Sequence, residues 1–181
     1  MGDYYTNVVP IDVEAEDARL VAGKVVEFLV GEKIMQPEIT DCTLTNTGGH
    51  APGPNYYKAL AAPYPELLTL QTNGIEIVVA RSAFDSGGLE EIQCPNCGHS
   101  VMDGEWGAAL QEWLGRKPNN EILCTACSYN GAITSYIFEP PFVFAELGFT
   151  FWNWGNELDN TFIEELEKIT DSRIAITFGK F

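Results

Sequence analysis

Two cysteine pairs, Cys94-Pro95-Asn96-Cys97 and Cys124-Thr125-Ala126-Cys127, constrain this chain more than any other feature. Two residues between paired cysteines let the backbone curl so that both sulfurs reach one ion at about 2.3 Å. Gly98 permits the tight turn in which backbone N–H groups face the sulfurs, and Pro95 stiffens its entry. Two such pairs complete a tetrahedron and leave no open coordination position, which marks a structural rather than a catalytic site. The expected ligands are therefore Cys94, Cys97, Cys124 and Cys127, and the expected cofactor is one structural Zn2+. Spacing alone does not separate zinc from iron in the same thiolates. His99 stands beside the first pair, but four cysteines already fill the shell, so it reads as a residue flanking the site.

The pattern resembles the zinc-ribbon superfamily over about 92–138. That resemblance implies two knuckles on neighbouring β-hairpins, with the four cysteines as ligands. The chain departs from the usual pattern twice. Its spacer is longer than the usual ~15–20 residues, which a helical segment at 106–114 explains as an insertion. Ser128 also stands where glycine is common, so a less regular second turn is expected.

Charge narrows the partners. The chain has 181 residues, 26 acidic against 10 basic, and a formal net charge of −16. Four thiolates and one divalent ion would make it more negative still. Such a surface repels phosphate backbones, against the nucleic-acid reading that a ribbon invites. Residues 1–10 lack a basic and then apolar leader, and no apolar run approaches the roughly 18 residues of a membrane span. Met1-Gly2-Asp3-Tyr4-Tyr5-Thr6 formally fits a myristoylation pattern, but its acidic, aromatic interior reads as chance. A cytoplasmic location is expected.

Periodicity supplies the elements. A strand is expected at 4–10, then a helix from Asp12 or Glu14 to about Gly31, with Ala18, Val21, Val25, Phe28 and Leu29 on its apolar stripe. Gly31 reads as its C-cap. Residues 45–55, with Gly-Gly and two prolines, read as a loop that excludes a central strand. A short helical segment is expected at 56–62 and a strand at 75–80. Strands follow at 132–138 and 149–154, the latter with Phe149 and Phe151 on one face and Trp152 and Trp154 on the other. Buried on both faces, it would be a central strand. Thr161-x-x-Glu164 reads as a capping box that opens the last helix, and 173–178 as a final strand.

Other chemistry is sparse. Cys42 with His50 could form an activated nucleophile, yet no third orienting residue stands at recognisable spacing. The turn-rich segment 48–55 lacks the lysine and hydroxyl of a phosphate loop, and Ala18 stands where the loop around Gly23-Lys24 needs its upstream glycine. The tail at 149–180, with Phe-Trp-Asn-Trp before its helix, resembles a group of uncharacterised bacterial proteins. Some of these carry a sugar-transporter ATPase label that their motifs do not support. The resemblance implies a bacterial source and no mechanism.

The fold class expected is α+β, a mixed or antiparallel sheet with packed helices and an inserted zinc ribbon. Its parts would be an N-terminal α/β part at 1–91, the ribbon at 92–140 and a C-terminal β-α-β part at 141–181. The function expected is a zinc-stabilised, non-enzymatic binding or adaptor protein for a protein partner of basic charge, such as a basic toxin or nuclease. The alternative is an enzyme acting on a small molecule through Cys42 and the His50 loop.

Overall fold

The computed structural model describes residues 2–155 and 157–181. Its fold is α+β, built on a six-stranded sheet in which every neighbouring pair is antiparallel. In chain order the first elements are β1 (Tyr4–Pro10), α1 (Ala18–Gly31), β2 (Met35–Thr40), β3 (Gly49–Pro52) and β4 (Ile75–Val78). The last are β11 (Gly148–Trp152), α3 (Asn160–Thr170) and β12 (Ile174–Lys180). The sheet order is β12-β1-β11-β4-β3-β2, so the first strand lies between two strands from the end of the chain.

One face of the sheet carries α1 and α3. Val21, Val25 and Leu29 of α1, with Phe162 and Leu166 of α3, meet Val8, Ile75, Phe149 and Phe151 of the strands. Helical spacing on one side and period-two alternation on the other produce this single apolar layer. On the opposite face, Val9 packs with Phe84 and Ala145. Those two residues belong to a small antiparallel pair, β5 (Ser82–Phe84) and β10 (Val143–Ala145). Between β5 and β10 the chain leaves the sheet and builds the cysteine-bearing module.

Several sequence expectations need correction. The first helix begins at Ala18 because Asp12 is held back by Ser172 and Arg173, which tie the preceding segment to the start of β12. Gly31 is helical, and Lys33 takes the left-handed turn after the helix, with φ of 59°. The segment 45–55 is not all loop. It contains β3, which lies inside the sheet because Pro52 falls at its end, where a missing N–H is tolerated. Residues 132–138 do not form one strand: β8 (Asn130–Ala132) and β9 (Ile137–Glu139) are separated by a 3₁₀ turn. The last helix is capped by Asp159, whose carboxylate accepts from the N–H groups of Thr161 and Phe162, so Thr161 lies inside it.

The aromatic strand β11 is central and buried on both faces, as expected. Its alternation ends one residue early. Asn153 has φ of 59°, and that turn swings Trp154 onto the same side as Phe151, with ring centroids 5.2 Å apart. Trp152 stays on the opposite face against Tyr5. Among the described residues, no helix is long and apolar enough to cross a membrane.

A candidate four-cysteine metal centre

The module between β5 and β10 has its own core of Ile92, Val101, Ile122, Ile133, Tyr136 and Phe138. Its helix α2 (Trp106–Leu114) adds Trp106, Ala109, Leu110 and Trp113, as the helical spacing predicts. Two short antiparallel pairs carry the cysteines. β6 (Glu91–Gln93), paired with β9, leads into Cys94, and β7 (Glu121–Leu123), paired with β8, leads into Cys124. The second knuckle thus caps a two-stranded hairpin. The first folds back through a single bridge between Gln93 and Ser100.

The two knuckles have the same backbone design. Gly98 N–H donates to the Cys94 carbonyl and Ser128 N–H to the Cys124 carbonyl, both at 2.9 Å. Cys94 and Cys124 N–H return the bond to the carbonyls of His99 and Tyr129, at 2.9 and 2.8 Å. Gly98 and Ser128 have φ of 71° and 60°. The second turn is therefore as regular as the first, contrary to the sequence expectation. Serine accepts the left-handed conformation there at a local cost.

All four sulfurs lie within 4.8 Å of one another. Cys94 Sγ is 3.7 Å from Cys127 Sγ, and Cys97 Sγ is 3.7 Å from Cys124 Sγ. Sulfurs at the corners of a tetrahedron about 2.3 Å from its centre stand ~3.8 Å apart. The spacing across the knuckles therefore fits one shared ion.

The surroundings favour thiolate at Cys127. Asn96 Nδ2 donates to Cys127 Sγ at 3.4 Å, reaching from the first knuckle to the second. That bond, with the Tyr129 backbone N–H, draws the Cys127 thiol down to about 6. His99 N–H likewise lowers Cys97, but the neighbouring cysteines outweigh it and push that thiol up to about 12. Crowded sulfurs that cannot all carry charge alone are the electrostatic problem that a divalent cation solves. Cys94 and Cys124 are buried in the module's core, while Cys97 is exposed. His99 is exposed and contributes its backbone rather than a ligand.

Sequence reasoning missed the contact that holds the module to the sheet. Glu146, in the link from β10 to β11, is buried and faces two guanidiniums. Arg81 Nε donates at 2.8 Å, and Arg116, just past α2, donates through both terminal nitrogens at 3.0 and 2.5 Å. Arg81 also lies over the Trp113 ring, 4.9 Å from its centroid. No sequence spacing relates these four residues.

The alternative pair is arranged differently. Cys42 is buried with its sulfur against Gly74, and His50 is buried in β3 with Nδ1–H donating to the Gln36 carbonyl at 3.0 Å. Among the described residues no hydrogen bond joins the Cys42 thiol to His50. No protein family, curated protein or solved structure matches the chain.

Proposed function

We propose that the four cysteines bind one zinc ion as a structural, zinc-ribbon-like centre, and that the protein is a non-enzymatic adaptor for a basic protein partner. The observation that carries the metal half is the pair of 3.7 Å sulfur separations across two matching knuckles. Zinc is favoured because it accepts four thiolates in a closed tetrahedron with no redox demand. When bound, it would hold β6 and β7 together and supply the positive charge that lets all four sulfurs ionise.

Charge carries the partner half. Six of the ten basic side chains are already engaged with carboxylates: Lys58, Arg81, Arg116, Lys117, Lys168 and Arg173. Arg116 and Lys117, adjacent cations that could seed a phosphate-binding patch, are taken up by Glu146 and Glu112. The acidic surplus therefore faces solvent and would steer a cationic protein surface toward contact. A bacterial cytoplasmic setting accords with this reading.

Affinity capture from a bacterial lysate at low and high ionic strength tests the adaptor reading. Recovery of a discrete partner of basic isoelectric point, released by salt, is the expected result. Recovery of nucleic acid, or of a protein whose binding ignores salt, contradicts it.

A further inference from the structure

The two edges of the main sheet are built differently. β2 is protected: it carries Pro37 and Glu38, and its register with β3 shifts between Met35 and Ile39. Prolines, charges and bulges are how edge strands avoid pairing with other chains. β12 has seven residues, no proline and an unbroken register against β1, from Tyr4↔Lys180 to Pro10↔Ile174. Its one charged residue, Lys180, stands at its end.

Hydrogen-bond phase shows which groups of β12 face outward. Phe181 N–H donates to the Asp3 carbonyl and Ile11 N–H to the Arg173 carbonyl, so odd-numbered residues of β12 bond to β1. Antiparallel alternation then turns the N–H and C=O of Ile174, Ile176, Phe178 and Lys180 away from β1. Glu167 takes the Ile174 N–H at 3.1 Å. Among the described residues nothing takes the outward groups of Ile176 and Phe178. Their side chains are exposed too, at 48% and 41%, with Tyr4 at 40% stacked on Phe178. α3 covers this face of β12 only at the Ile174 end.

We propose that this edge is a homodimer interface, in which β12 pairs antiparallel with β12 of a second copy about a two-fold axis at Thr177. The strand is self-complementary in this register. Ile176 lies opposite the partner's Phe178, and Phe178 opposite the partner's Ile176, each pair exchanging both main-chain hydrogen bonds. Opposed residues share a face, so the four side chains and the two Tyr4 rings close into one apolar cluster. Charge is complementary as well. Lys180 lies opposite the partner's Ile174 and beside the partner's Glu167. Glu164 and Asp171 stand nearby with Lys168 and Arg173, and those two cations are already paired to Glu165 and Asp12. Shifting the axis to Phe178 loses this match, since it moves Lys180 opposite the partner's Ile176 and away from the partner's Glu167. The repulsion between two acidic chains is screened over about 8 Å at physiological salt, whereas the edges meet at contact. The protected β2 edge stops growth at two copies.

Analytical ultracentrifugation of the full chain tests this, with the chain mass of 20.0 kDa fixing the monomer. The expected result is a reversible dimer that Ile176→Lys converts to monomer. Leu20→Lys, the same chemical change at an exposed site on α1, leaves the dimer intact. Lys180→Glu raises the dissociation constant at least ~10-fold, and adding Glu167→Lys restores it, the behaviour of a directly coupled pair. The charge-swap pair keeps the proposal testable if Ile176→Lys misfolds. A monomer at all concentrations, a dimer indifferent to Ile176→Lys in folded protein, an unrescued Lys180→Glu, or an open-ended polymer overturns it.

Discussion

Arg116 grips Glu146 through both terminal nitrogens, at 3.0 and 2.5 Å, and so fastens the end of α2 to the link between β10 and β11. Arg116 has φ of 57°, and this left-handed turn brings the chain out of the helix. Burial raises the Glu146 pKa, but the Arg116 and Arg81 guanidiniums outweigh it and hold the carboxyl below the usual range. Replacing the carboxylate by an amide leaves two guanidiniums without their counter-charge and turns an NH2 group toward them. Because Arg116 is half exposed, the cost falls below that of a fully buried pair. Glu146→Gln is expected to lose about 1–3 kcal/mol in a denaturant titration.

The same carboxyl gives a pH dependence of defined sign. Its folded pKa is lower than the ~4.3 of an unfolded glutamate. Its stabilisation is therefore complete above that value and lost as pH falls through the folded one. Thermal melts from neutral to acid pH should show an acid-side loss of stability that is smaller in Glu146→Gln. Equal losses in both proteins would remove Glu146 as the cause.

Cys42 is expected to pack rather than react. A Cβ built on Gly74 would lie 2.3 Å from Cys42 Sγ and 3.0 Å from the Cys42 carbonyl oxygen. Gly74→Ala should therefore cost ~1–3 kcal/mol through overpacking, and Cys42→Ala should recover part of that loss. Alkylation at neutral pH should label Cys42 slowly in native protein. Fast labelling that disappears in His50→Ala would restore the enzyme reading.

Ser128 offers a gain. It is exposed, holds φ of 60°, and occupies the position that Gly98 fills in the first knuckle. Ser128→Gly should stabilise the protein by about 0.5–1 kcal/mol by relieving the left-handed cost, with metal content unchanged. A loss of stability would mean that the serine side chain makes a contribution of its own.

What was legible in the sequence follows from range. The cysteine pairs, the stripe of α2 and the alternation of β11 are local patterns, and each reports its own geometry directly. Helix ends depart from the local pattern because tertiary and capping contacts set them: Arg173 restrains Asp12 before α1, and Asp159 reaches Thr161 and Phe162 ahead of the expected capping box. β3 was hidden because glycine and proline dominate residues 45–55, while its pairing to β2 and β4 is decided elsewhere in the chain. Strict alternation puts Trp154 on the wrong face because one left-handed residue, Asn153, resets it. The Asn96 contact to Cys127 and the Glu146 cluster join residues that no local spacing relates, so only the folded chain brings them together.

The central claim is that Cys94, Cys97, Cys124 and Cys127 hold one zinc ion, and metal content tests it most directly. Inductively coupled plasma mass spectrometry on protein purified without added metal should find about one zinc per chain. Cys97→Ser should fall below that ratio, as a site left with three thiolates binds more weakly. Wild-type protein that is folded yet free of zinc, or that carries iron in its place, contradicts the account.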